Sequence, residues 1–115
     1  MKLVFATALA AALTLTGCGA PPTLYQWESY QPQVYQHFKG QSPNEQIDVL
    51  EKDLQKIASQ GKSPPPGYHA HLGLLYSMVG KPDLMVAQFE NEKKLFPEST
   101  AYMDFLLKNT KKAAN

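Results

Sequence analysis

Three histidines are the side chains of this sequence best suited to bind a metal ion. His69 and His71 are two residues apart, and His37 lies in an earlier segment. On a helix, residues two positions apart point about 200° apart, whereas helical zinc sites place two histidines at i and i+4. Packing or hydrogen bonding at a helix start is the competing interpretation. We expect no metal site, and a small-ligand or metal carrier using His37, His69 and His71 is the alternative function.

No residue pattern in this sequence is typical of an enzyme. Carboxylates two residues apart occur at Glu51 with Asp53 and at Glu90 with Glu92, but both pairs fall on amphipathic segments and are interpreted as solvent-facing. The sequence contains a single cysteine and neither a glycine-rich phosphate loop nor a Gly-x-Ser-x-Gly motif. We therefore expect a protein that is not an enzyme and that needs no cofactor for chemistry.

The length and the charge of the chain exclude two further classes of protein. The chain has 115 residues, a formal net charge of +1 and 11 basic side chains, all of them lysine. This length suits one small domain and excludes a multidomain enzyme. A chain without arginine and without a dense basic stretch lacks the usual features of a nucleic-acid-binding protein, so we expect no nucleic-acid partner.

The N-terminal segment is typical of an export signal. Lys2 precedes an apolar run over residues 3–13, which is shorter than the roughly 20 residues that a membrane-spanning helix needs. The run ends in Leu-Thr-Gly-Cys at 15–18, which resembles the lipobox of bacterial lipoproteins. The resemblance implies a signal peptide over 1–17, and a diacylglycerol and an acyl chain on Cys18. Because Gly19 rather than Asp follows Cys18, the lipobox resemblance also favours the outer membrane, with the domain facing the periplasm.

The mature chain begins with a short tether and an aromatic-rich arm. Residues 18–23 form the lipidated tether, since two prolines leave little there to bury. Residues 24–40 form the arm, in which Tyr25 and Trp27 alternate as in an extended segment and residues 32–39 have helical spacing before Gly40. The aromatic side chains of the arm are Tyr25, Trp27, Tyr30, Tyr35 and Phe38.

A helix is predicted to begin behind Ser42. Ser42 and Glu45 have the spacing of a capping box, and Pro43 stands where its missing N–H has no effect. Apolar residues then recur every three or four positions at Ile47, Leu50, Leu54 and Ile57, and Gly61 ends the pattern. Three consecutive prolines within 63–67 predict an extended connector rather than a ligand for a polyproline-binding domain.

Residues 66–97 resemble a tetratricopeptide repeat, which is a pair of antiparallel helices. The positions that match its signature are Leu72, Gly73, Tyr76, Gly80, Phe89 and Pro97, while His69, Met85 and Glu92 depart from it. One repeat cannot bury its own apolar face, so further helices must flank it. We predict an all-α fold, with a helical repeat-like domain over 41–109 that ends in a helix from about Ser99, and a disordered tail over 110–115.

The mature chain also resembles a family of small proteobacterial lipoproteins, domain of unknown function 4810. The matching strings are LYQW at 24–27, SYQP at 29–32, GYHAHLGLLY at 67–76, FPES at 96–99 and MDFL at 103–106. The family has no established activity. Its genes tend to lie beside those of a curli-pore-like lipoprotein and of a second small lipoprotein, which implies a cell-envelope complex.

The predicted function is that of a non-catalytic protein-binding scaffold, or accessory subunit, on the outer membrane. The repeat resemblance implies a concave binding wall made of Gly67, Ala70, Leu74, Ser77 and Met78. A second candidate surface is Tyr25, Trp27, Tyr30 and Tyr35, because such aromatics are frequent at interfaces; alternatively, they complete the core. The expected partner is an envelope protein or lipoprotein, with a curli-pore-like assembly as one candidate. A second copy of the chain is another candidate, because it would supply the neighbouring repeats that a single repeat lacks.

Overall fold

The computed structural model describes residue 19 and residues 23–113. The predicted signal peptide, Cys18 and most of the tether lie outside these residues. The described chain contains five α-helices and no strand, so the predicted all-α class is confirmed. The helices are α1 (Tyr30–Phe38), α2 (Pro43–Ser59), α3 (Tyr68–Met78), α4 (Pro82–Leu95) and α5 (Thr100–Ala113), with a short 3-10 turn at Pro97–Ser99 before α5.

Local sequence signals explain most of the helix boundaries. Proline stands in the first turn of both α2 and α4, where its fixed φ suits a helix and its missing N–H is not needed. Helix α1 begins two residues before the predicted start, because the carbonyl of Ser29 already accepts from the Gln33 amide at 2.9 Å.

The capping box predicted at Ser42 does not form. The Ser42 side chain makes no capping hydrogen bond, and only its carbonyl accepts, from the Gln46 amide at 3.2 Å. The carboxylate of Glu45 instead accepts from the Gln41 side-chain amide at 3.3 Å. Glu45 thus turns toward the chain that enters the helix rather than back to the Ser42 amide.

The core lies where α3 packs between α2 and α4. Its most buried side chains come from four helices and include Leu50, Ile57, Tyr68, Leu72, Leu75, Met85, Phe89 and Met103. Helices α3 and α4 approach closely at Gly73, where a Cβ atom would lie only 2.6 Å from a ring carbon of Phe89. The close approach of the two helices therefore depends on the absence of a side chain at Gly73. The tetratricopeptide resemblance as such stays a prediction.

The arm folds back onto the helices. The Gln26 amide donates to the carbonyl of Ser63 in the proline connector at 2.9 Å. The ring of Tyr25 stands edge-on to Phe96 at the end of α4, with centroids 5.7 Å apart. The arm thereby contacts both the proline connector and the end of α4.

Helix α5 continues beyond its predicted end. Residues 110–113, which the sequence analysis assigned to the tail, are helical. The hydroxyl of Thr110 donates to the carbonyls of Leu106 and Leu107 at 3.1 and 2.9 Å, and both leucines pack against the core. Residues 114 and 115 lie outside the described part of the chain.

Candidate protein-binding groove

A groove of about 460 Å³ runs between α3 and α5. Helix α4 packs against both of these helices and closes the groove from below. The lining residues are Ala70, His71, Leu74 and Ser77 from α3, Met85 and Phe89 from α4, and Tyr102, Leu106, Asn109 and Thr110 from α5. A mainly apolar concave surface with few polar groups is typical of a binding site.

The lining carries no charged side chain at neutral pH. The lining contains one histidine, His71. Burial and, secondarily, the neighbouring His37 lower the pKa of its imidazole to about 4. His71 is therefore neutral at pH 7. Two of the polar groups are already occupied, since the Ser77 hydroxyl donates to the Leu74 carbonyl at 2.6 Å and the Thr110 hydroxyl bonds within α5.

The residues predicted for the concave wall are only partly brought together. Ala70, Leu74 and Ser77 line the groove. Met78 does not line it, although its side chain is exposed one turn after Leu74. Gly67 has another role: it precedes α3 with φ +91°, and its amide donates to Glu92 at 2.6 Å.

The predicted aromatic surface divides into packed and exposed members. Tyr30 is half-buried and stacks on Tyr68 with centroids 5.2 Å apart, and Tyr25 packs on Phe96. Trp27 lies against Tyr30 at 6.1 Å and leaves 38% of its surface exposed. Tyr35 is 58% exposed, with the Lys39 ammonium 5.3 Å from its ring. Only Trp27 and Tyr35 are thus open to a partner.

The three histidines do not converge on one point. His37 and His71 meet between α1 and α3, with ring centroids 5.2 Å apart. His69 faces α4 instead, where its Nδ1 donates to Oε1 of Gln88 at 2.6 Å. No group of three or more His, Cys, Asp or Glu side chains that could hold a metal ion occurs in the described residues.

Glu92 was wrongly interpreted as solvent-facing. It is 1% exposed, and its two carboxylate oxygens accept from the amides of Gly67 and Ala70 at 2.6 and 3.3 Å. A carboxylate from α4 therefore caps the N-terminus of α3, where negative charge is favourable. The spacing of Glu92 from Met85 and Phe89 places it on the buried face of α4, and that signal could have identified it.

The other paired carboxylates are also bound rather than freely solvated. Glu51 is half-buried and accepts from the Tyr76 hydroxyl at 2.6 Å. Asp53 accepts from the amide of Ser29 at 3.0 Å and from the Ser29 hydroxyl. Both carboxylates hold neighbouring segments onto α2.

The wall contributed by α5 was not predicted as a binding surface. Tyr102, Leu106 and Asn109 recur at four and three positions, which places them on one helix face. This spacing was visible in the sequence. The position of α5 opposite α3 was not, because it depends on how α4 packs against both.

The comparisons with known proteins identify the family. The family model of DUF4810, a domain of unknown function, matches residues 24–106. The chain therefore belongs to this family, and the resemblance to domain of unknown function 4810 is confirmed. The match covers the arm and all five helices up to the middle of α5. No curated protein and no solved structure is significantly similar to the chain.

None of the helices in the described part of the chain combines the length and the apolar character needed to cross a bilayer.

Proposed function

We propose that this chain is a non-catalytic scaffold that holds another protein of the cell envelope in the groove between α3 and α5. The observation that supports the proposal is the groove itself, a concave, uncharged and mainly apolar surface built from three helices. Exposed apolar surface of this kind on a small domain is more often an interaction site than a solvated face. The Leu74 side chain, which is 43% exposed within it, is the central contact.

The scaffold is proposed to act at the outer membrane, facing the periplasm. This part of the proposal depends on the sequence: the signal peptide over 1–17 and the lipobox cysteine Cys18. A single acyl chain anchors a protein only marginally, whereas several chains together anchor it stably. Lipidated Cys18 would keep the groove within reach of partners at the membrane.

The proposed partner is another envelope protein or lipoprotein. The genes that lie beside those of the family favour a curli-pore-like lipoprotein as the first candidate. A second copy of this chain is the other candidate, because both ends of so short a helical array are open to further packing.

Purification of the tagged, full-length lipoprotein from its own membranes in mild detergent tests this proposal. We expect one envelope protein to be recovered in constant ratio. Cys18→Ala should abolish membrane anchoring and lower that recovery, since the groove would no longer be held near the membrane. A chain that is recovered alone, with its lipid intact, would contradict the scaffold function.

A further inference from the structure

We infer that the occupant of the groove is an α-helix of the partner protein, bound through an uncharged apolar face. The inference rests on the proposed scaffold function and specifies the partner segment that it requires. It follows from three properties of the groove: the absence of charge in its lining, the scarcity of polar groups that could pair with a peptide backbone, and the length of its walls.

The first property excludes a charged occupant. None of the ten lining side chains is charged at neutral pH, given the lowered pKa of His71. A charged side chain transferred from water into such a site would lose hydration without gaining an opposite charge. The face of the partner that enters the groove must therefore be apolar or weakly polar.

The second property separates a helix from an extended peptide. An extended segment presents one N–H and one C=O per residue, and each needs a hydrogen-bond partner once it is buried. The hydroxyls of Ser77 and Thr110 already donate to carbonyls of their own helices. Both hydroxyls can still accept a hydrogen bond, but few donors are left for the carbonyls of an extended segment: the Tyr102 hydroxyl, the Asn109 amide and the His71 imidazole. A helix needs no such partners, because its backbone groups bond to one another.

The third property gives the size of the occupant. From Ala70 to Ser77 and from Tyr102 to Asn109, each wall spans seven residues, or about 10 Å along a helix axis. A partner helix of about two turns fits this length. Its anchors would recur at i, i+3 or i+4, and i+7, as in other complexes in which a helix occupies a groove.

The apolar surface also continues past the groove on the α5 side. Tyr102 and Phe105 are both exposed, and their rings stack with centroids 6.5 Å apart. Tyr102 lines the groove and Phe105 does not, so an occupant that contacts Tyr102 meets the edge of this exposed aromatic pair.

Photo-cross-linking in intact cells tests the inference on the full-length, lipidated protein. Benzoylphenylalanine replaces Ser77 on one wall, Asn109 on the other, and Leu84 on α4 as an exposed position that does not line the groove. We expect cross-links from positions 77 and 109, but not from 84, to one short partner segment. The cross-linked partner residues should be three, four or seven positions apart.

A proline scan of that partner segment completes the test. Proline in the middle of a helix removes a backbone hydrogen bond and clashes with the preceding turn, so it should abolish the cross-link, whereas alanine at the same position should preserve it. Cross-linked residues two positions apart, or tolerance of proline, would show an extended occupant and overturn the inference. Cross-links to a second copy of the chain or to lipid alone would overturn it as well.

A matched pair of substitutions measures the contribution of the groove. Leu74 lines it and Leu84 does not, yet both side chains are 43% exposed. Leu74→Glu should lower partner recovery about tenfold or more relative to Leu84→Glu, because it places an uncompensated charge against the bound helix. Equal recovery in the two variants would overturn the inference. If a partner co-purifies but contacts neither wall, the chain is still a scaffold but does not bind through the groove, and the helix inference fails. If none co-purifies, the scaffold function itself fails.

Discussion

At the scale of single residues, Glu92 has the clearest structural role. Its carboxylate caps α3 from α4 while nearly completely buried. Glu92→Ala leaves the amides of Gly67 and Ala70 without their acceptor, so we expect the free energy of unfolding to fall by about 1–3 kcal/mol. Urea denaturation of the Cys18→Ala form measures this change.

Glu90 provides the control for that experiment. It lies two residues earlier on α4 and pairs with Lys93 at 3.1 Å on the protein surface. Exposed ion pairs of this kind contribute about 0–1 kcal/mol, so Glu90→Ala should change the stability little. An equal loss of stability in the two variants would contradict the capping role of Glu92.

The second residue-scale prediction concerns pH. The pKa of the His71 imidazole is about 4 in the folded protein, whereas its ordinary value, which applies to the unfolded chain, is 6.5. As pH falls from 6.5 to 4, the unfolded chain binds a proton at this histidine and the folded chain does not. The free energy of unfolding must therefore fall across this window and be unaffected by His71 above it. The groups that face His71 are His37 and Tyr30, both on α1.

Comparison with His71→Phe isolates this contribution, because carboxylates also titrate at the acidic end of the window. The phenyl ring keeps an aromatic side chain against Tyr30 but cannot bind a proton. We expect the urea midpoint of the variant to fall less between pH 6.5 and pH 4 than that of the parent protein. Parallel pH profiles would show that the folded protein accepts the proton at His71 without loss of stability.

At the scale of elements, the contact between α3 and α4 depends on Gly73. A Cβ atom there would lie 2.6 and 2.7 Å from two ring carbons of Phe89. Gly73→Ala should therefore separate the helices and destabilise the protein by about 1–3 kcal/mol, even though alanine favours a helix more than glycine does. Thermal or urea unfolding measures the loss.

The double variant Gly73→Ala with Phe89→Leu tests the cause of that loss. Leucine removes the ring carbons that the new methyl group would meet, so the two effects should not add. Additive losses of stability would show that the close approach at Gly73 is not the reason for the destabilisation.

The elements also show which parts of the fold could be predicted. The starts of α2 and α4 depend on Pro43 and Pro82, whose effects are local, and both were visible in the sequence. The spacing of Glu92 on α4 indicates that it is buried, but its partner is 25 residues away along the chain, so its capping role could not be derived from local pattern. Ser42 shows the converse: a local capping signal was present, but Glu45 bonds to Gln41 instead.

The candidate site was also predictable only in part: one wall of the groove was expected from the sequence and the other was not. Ala70, Leu74 and Ser77 were expected because the tetratricopeptide resemblance implies which face of the first helix forms the concave wall. The opposite wall on α5 depends on how three helices pack together, which spacing does not determine. Residue type left Tyr30 open between a binding surface and the core, and its stacking on Tyr68 places it against the core.

At the scale of the whole molecule, charge predicts how the proposed complex responds to salt. Without residues 1–17, the chain has ten lysines and ten carboxylates, so no net charge would attract a partner over distance. The groove itself is uncharged. Raising the salt concentration from 0.1 to 1 M shortens the screening length from about 10 to about 3 Å and weakens contacts between exposed charges. Apolar contacts are not weakened in this way.

We therefore expect partner recovery in 1 M NaCl to stay within about twofold of that in 0.1 M NaCl. Lys108→Glu, which changes an exposed charge outside the groove lining, should leave recovery unchanged at both concentrations. Loss of the partner at high salt, or on reversal of this charge, would assign the interaction to the charged surface of the helices. Retention in both conditions, together with loss in Leu74→Glu, would assign it to the groove, because only an uncharged interface combines these three results.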